Sequence, residues 1–209
     1  MRLRLEGKGL SALGIDRPAR RGVESTTGAV LLGLAAAVQQ LGGALATGDS
    51  VTANADAAPS TLLQGARFVL DSVVYEELLF RGCLLYRAVR WLGPWRAIWL
   101  DAAAFGIHHW FSDGVLGQPV AMAYVLVMTG AIGLILARAF TTTGAIAAPP
   151  GMHLGWNAVT RLLFSAGPLG AMRLVHASVA SIDPDGAWHV LLSVVWPLSV
   201  AAAVVQGCR

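Results

Sequence analysis

The sequence predicts an all-α fold, a polytopic transmembrane helical bundle of about six spans. Three observations carry that expectation. The 209 residues are 56% hydrophobic and only 13% charged, whereas a soluble domain carries about 25% charged residues. The apolar residues fall in long runs separated by short polar breaks, and a spanning helix needs roughly 20 such residues. Basic residues gather in the loops of one side and are absent from most of the opposite loops, as the positive-inside rule requires.

The first span is read at 27–46, ending at the polar stretch TGDSVTANADAAPS. The second, 62–86, is apolar but interrupted by Arg67, Asp71, Glu76, Glu77 and Arg81. The third, fourth, fifth and sixth are read at 95–112, 118–137, 144–165 and 188–206. Residues 166–187 are mixed, and a short interfacial or re-entrant helix is open there. The Ala/Gly bias suits close helix packing in lipid.

Six of the 15 basic residues (Arg2, Arg4, Lys8, Arg17, Arg20, Arg21) precede residue 22. Residues 1–26 therefore read as a basic cytoplasmic segment held by anionic lipid, and 27–209 as a single transmembrane domain. Arg87, Arg90, Arg96, Arg138 and Arg209 fall on the same side, while the opposite loops, 47–61 and 112–117, carry only Asp49, Asp56 and Asp113. Arg173 is the exception. This predicts an integral protein of the plasma membrane with both termini cytoplasmic. Nucleic acid is excluded as a partner, because no aromatic-and-basic platform or recognition helix follows the basic segment. No signal peptide is expected in residues 1–25.

Cys83 and Cys208 are 125 positions apart and support neither a disulfide framework nor a metal site. The ending Gly207-Cys208-Arg209 does not fit a prenylation box. His176 and His189 read as interfacial.

Ionisable residues deep in a bilayer cost at least ~2.5–3.5 kcal/mol each and so point to function. They occur in three places. In Glu76-Glu77-Leu78-Leu79-Phe80-Arg81, Glu77 and Arg81 are i,i+4 neighbours able to pair. Glu76 then points about 100° away with no evident partner in its own helix, a carboxylate suited to taking a proton from water. In Phe105-Gly106-Ile107-His108-His109, two adjacent histidines cannot face the same way, so at most one of them faces the interior with Glu76. In His153-Leu154-Gly155-Trp156-Asn157, imidazole and carboxamide share one face. Structural alternatives exist for each: a salt-bridge network for Glu76, a satisfied core histidine, and interhelical hydrogen bonding for His153 and Asn157. At 1.5 Å per residue, Glu76, His109 and His153 lie roughly 15, 21 and 14 Å from their predicted cytoplasmic span ends, a similar depth once helix tilt is allowed.

Taken in order, EExxxR (Glu76, Glu77, Arg81), FxxxH (Phe105, His109) and HxxxN (His153, Asn157) resemble the motifs of the CPBP family. That family groups type II CAAX prenyl endopeptidases with bacteriocin-processing and Abi-type proteins. Thr143-Gly144 precedes the third motif, and the resemblance covers about residues 65–160. It implies that Glu76 is the general base that activates water, that His109 helps hold the water, and that His153 and Asn157 stabilise the oxyanion. Glu77 and Arg81 would order the site, and Phe105 would pack beside it. The implied partners are membrane lipid and a peptide or lipidated protein substrate. Two cofactor readings stay open: a metal-free glutamate mechanism, or a divalent metal such as zinc held by His109 and His153, although no HExxH is present. Many members have seven or eight spans, against about six here.

Two other functions compete with an intramembrane endopeptidase. One is a non-catalytic membrane scaffold or bacteriocin-immunity protein of the same fold. The other is a small transporter in which Glu76 relays protons, which the absence of matched broken segments disfavours.

Overall fold

Proline opens most of the long helices, and glycine caps two helices. The computed structural model describes residues 18–47, 51–53, 58–164, 175–177 and 195–206. Helix α1 (Pro18–Thr47) is followed by α2 (Pro59–Glu77), and α2 runs through a π-helical stretch, Leu78–Leu85, into α3 (Tyr86–Leu92). Gly93, at φ 77°, turns the chain into α4 (Pro94–Ser112). Helix α5 (Pro119–Thr143) ends at Gly144, whose φ of 63° makes a left-handed cap. Helix α6 (Ala148–Asn157) continues as a second π-helical stretch, Ala158–Leu163, and α7 spans Trp196–Gln206. Proline in the first turn costs no hydrogen bond, because those N–H groups have no helical acceptor. Pro149 and Pro150 accordingly sit in the first turn of α6.

Helices therefore cover most of the described part of each predicted span; the fifth, 144–165, opens on a turn over residues 144–147 before its helix begins at Ala148. The second predicted span, 62–86, is part of a longer helical rod over residues 59–92. The all-α expectation holds for the described residues, with one short strand pairing beside the helices. Val51–Ala53 (β1) and Val175–Ala177 (β2) pair antiparallel, with Thr52 opposite His176. That part of 166–187 is extended, not a re-entrant helix, because it completes a two-stranded ladder. The other residues of 166–187, the basic residues before Pro18, His189 and Cys208 lie outside the described residues. Cys83 is exposed.

Helices α1 and α6 meet backbone to backbone. A Cβ added at Gly151 would collide with Ser25, and one at Gly155 with Ala29. The pair forms a small-xxx-small contact, the pattern that lets helices approach closely in lipid. His153 and Asn157 lie about 200° round the helix from these glycines and so face the other way, into the bundle. On the far side, α4 and α5 interlock: Gly133 lies so close to Phe105 that an added Cβ would come within 3.1 Å of it. Leu85, Ala97, Ile98, Ile135, Leu136 and Ala137 form the centre of the apolar core. At the start of α1, Arg20 and Arg21 converge on Glu24 at 2.8 and 2.7 Å. The Arg21 hydrogen bond is the main reason the Glu24 carboxyl is held below its ordinary range. Arg21 also donates to the carbonyl of Thr143, tying α1 to the end of α5.

Among the described residues, α5 alone is long and apolar enough to cross a membrane by itself, with a mean hydropathy of 2.3 over its best window. Helices α2 and α4 carry Glu76, Glu77, Asp101 and His109, ionisable residues of the candidate site.

Candidate active site

Three elements carry the three motifs to one place. Glu76 and Glu77 end α2, immediately before the first π-helical stretch; Asn157 ends α6, immediately before the second. π-helical turns are rare and frequently accompany functional sites. Phe105 and His109 lie one turn apart near the end of α4.

A buried ionic network holds the glutamate pair. Glu77, Arg81 and Asp101 are 1%, 0% and 0% exposed. Arg81 Nη1 donates to Glu77 Oε1 at 3.2 Å, as the i,i+4 spacing predicts, and Nη2 donates to the Gly133 carbonyl at 3.1 Å. Its Nε faces Asp101 Oδ2 at 3.5 Å, and its guanidinium carbon lies 4.6 Å from the centre of the Phe105 ring. Asp101 is a participant that the motif reading missed. A signal for it existed: an acidic residue in an apolar helix, four positions before Phe105 and eight before His109, and so on their face.

The second imidazole belongs to the same network. His153 Nδ1 lies 2.8 Å from Glu77 Oε1, so Glu77 joins α6 to Arg81. His109 Nδ1 donates to the Phe105 carbonyl at 2.9 Å. With both Nδ1 atoms engaged, both Nε2 atoms turn towards Glu76. His109 Nε2 lies 4.0 Å and His153 Nε2 3.9 Å from Glu76 Oε2. That oxygen is buried and has no hydrogen-bond partner among the described residues. The other carboxylate oxygen, Oε1, accepts a hydrogen bond from Ser72 at 3.1 Å. Glu76 therefore does have a partner in its own helix, one turn back.

Of the two adjacent histidines, His109 faces Glu76. His108 packs edge-on against the Phe80 ring, with centroids 5.4 Å apart. Phe105 contacts both inward imidazoles, at centroid distances of 4.7 Å to His109 and 5.8 Å to His153. A cavity of about 360 Å³ adjoins the cluster, lined by His109, His153 and Asn157 together with Met128, Thr129 and Arg161 among others.

The trio has donor atoms that suit zinc, but its spacing does not. Zinc bonds of about 2.1 Å in a tetrahedron put ligand atoms about 3.4 Å apart, whereas Glu76 lies 3.9–4.0 Å from each imidazole nitrogen. Among the described residues no group of three His, Cys, Asp or Glu side chains is arranged to hold a metal ion. The chemistry is accordingly derived from the side chains themselves.

A model of the family described as type II CAAX prenyl endopeptidase Rce1-like matches residues 58–159. The match covers 102 of the 209 residues and supports membership of that family for this segment. The match spans all three motifs and ends two residues beyond Asn157. Searches of curated proteins and of solved structures gave no match. The Rce1-like family is a family of integral membrane proteases that act on prenylated proteins, so the membership supports a hydrolase.

Proposed function

We propose that this chain is a polytopic intramembrane endopeptidase that cleaves a prenylated, CAAX-type peptide with water activated by Glu76. The observation that carries the reading is the convergence of Glu76 Oε2 with the Nε2 atoms of His109 and His153, at 4.0 and 3.9 Å. These separations are too long for direct hydrogen bonds, and they suit one water held between carboxylate and imidazole.

In this mechanism Glu76 Oε2 takes a proton from that water, and His109 Nε2, left as an acceptor by its bond to Phe105, orients it. The water oxygen adds to the scissile carbonyl carbon. Negative charge develops on the carbonyl oxygen and is met by the Asn157 amide and by His153. As the imidazolium, His153 donates Nδ1–H to Glu77 and presents Nε2–H to the oxyanion; Glu77 balances its charge. Collapse breaks the C–N bond, and Glu76 returns its proton to the leaving amine. Atoms balance as one water consumed, one acid and one amine formed. Such base and oxyanion contributions are the parts that a peptidase site requires.

The membrane setting is supported by an inverted surface. Val120, Trp91 and Leu63 are 86%, 77% and 73% exposed, while Arg81, Glu77 and Asp101 are buried. Large apolar side chains outside and charges inside suit a lipid solvent. The test is cleavage of a farnesylated peptide in proteoliposomes by wild type and by Glu76→Gln. Loss of cleavage in the variant supports the reading. Wild type inert towards every prenylated peptide would favour the scaffold instead.

A further inference from the structure

The catalytic groups do not account for Arg161. It lies in the second π-helical stretch, four residues beyond Asn157 and eight beyond His153, and it lines the same cavity as both. It is half-buried, and among the described residues it has no hydrogen-bond or ion-pair partner. The other described residues lining it include His109, His153 and Asn157 of the site and carry no carboxylate, ammonium or second guanidinium. Among the described residues, Arg161 is therefore the one permanently charged side chain on the cavity wall, because a guanidinium does not lose its proton in proteins. An arginine in this setting offers a planar fork of donors that matches a carboxylate.

We infer that Arg161 binds the C-terminal carboxylate of the substrate, and so makes the enzyme measure the distance from the cut to the chain end. The inference rests on the peptidase reading above and adds the substrate feature that selects the bond. The distances agree. In a CAAX sequence the prenylated cysteine is fourth from the end. A cut on its C-terminal side leaves three residues, about 10–11 Å when extended. Eight helical residues from His153 to Arg161 rise at most about 12 Å, and the arginine side chain, leaning back towards the helix N-terminus, shortens the remaining gap. The cavity volume, about 360 Å³, is at the lower end of the roughly 300–1,000 Å³ typical of small-ligand clefts, a scale suited to a short fragment. Arg161 is thus a specificity-determining group at the end of the site remote from Glu76.

The test uses two probes: a farnesylated cysteine followed by two aliphatic residues and serine, with a free carboxylate or with a C-terminal amide. A charge-assisted pair predicts that wild type prefers the carboxylate by about tenfold or more in kcat/KM. Arg161→Gln should bring the two peptides to within about twofold by losing only the carboxylate's advantage, and Arg161→Lys should keep part of the preference. Equal cleavage of both peptides by wild type overturns the inference. So does an Arg161→Gln variant that slows both alike, which marks a structural arginine. A binding arm separates this from failure of the peptidase reading: retention of fluorescent versions of both peptides on immobilised Glu76→Gln protein. Preferential retention of the carboxylate, abolished by adding Arg161→Gln, supports the inference even if no cleavage is seen; indifferent retention overturns it.

Discussion

His153 Nδ1 lies 2.8 Å from Glu77 Oε1, joining two motifs that stand 76 residues apart in the chain. Because the same carboxylate oxygen takes the hydrogen bond from Arg81, the orientation of His153 depends on the charge balance of α2. Replacing Glu77 by Ala would leave Arg81 buried beside Asp101 alone and His153 without its anchor. Breaking a buried pair from one side costs about 3–5 kcal/mol, so Glu77→Ala is expected to lower the melting temperature in detergent sharply. In a double-mutant cycle on melting, Glu77→Gln and His153→Ala should be non-additive, as expected for contacting residues.

Arg81 uses three nitrogens in three directions: Nη1 to Glu77, Nη2 to the Gly133 carbonyl and Nε towards Asp101. Lysine cannot reproduce that fork. Arg81→Lys is expected to lose most of the activity and to destabilise the protein by about 1–3 kcal/mol through unsatisfied buried groups. Activity and melting temperature of the purified variant check this; wild-type values in both would show that the network is dispensable.

The adjacent histidines should separate cleanly. His109→Gln removes an Nε2 that faces Glu76 at 4.0 Å and should reduce cleavage about 100-fold or more, as loss of a proton-transfer partner does. His108→Gln changes a ring packed on Phe80 and should stay within a few-fold of wild type. Peptide cleavage rates at matched protein folding decide between them.

At the α1–α6 contact, Gly155→Val would push a side chain into the Ala29 backbone. Overpacking of this kind typically costs about 1–3 kcal/mol, and here it would also displace His153 and Asn157. Loss of activity together with a lowered melting temperature is expected. The same substitution at Gly114, where nothing lies within 4 Å of an added Cβ, is strained by its φ of 66° but should leave the cleft in place.

Because the Glu76–imidazole spacing is wider than a zinc tetrahedron allows, a strong chelator is expected to leave peptide cleavage unchanged. A loss that added zinc restores would overturn the metal-free mechanism.

The residues that converge at the candidate site are legible in the sequence because they are expensive in apolar helices. Glu76, His109, His153 and Asn157 stand out against apolar helices, and the i,i+4 relation of Glu77 and Arg81 gave their ion pair directly. The choice of His109 over His108 rested on the FxxxH pattern, since helical periodicity alone only says that the two diverge. Contacts between helices were not legible: no local rule gives the Glu77–His153 bond. Asp101 carried a readable cost but no motif. Ser72 was passed over because a serine in a helix ordinarily bonds its own backbone, whereas this one donates to Glu76. Arg161 lay near the predicted end of a span, where an arginine ordinarily snorkels to the interface. Its relation to the cavity depends on how α6 is seated against α5.

The most direct test of the central claim is single-turnover cleavage of a farnesylated CAAX peptide in proteoliposomes by wild type and Glu76→Gln, with melting temperatures measured in parallel. If Glu76 activates the water, the variant should melt like wild type within a few degrees and cleave about 100–10,000-fold more slowly. A well-folded Glu76→Gln protein that cleaves at the wild-type rate would contradict it.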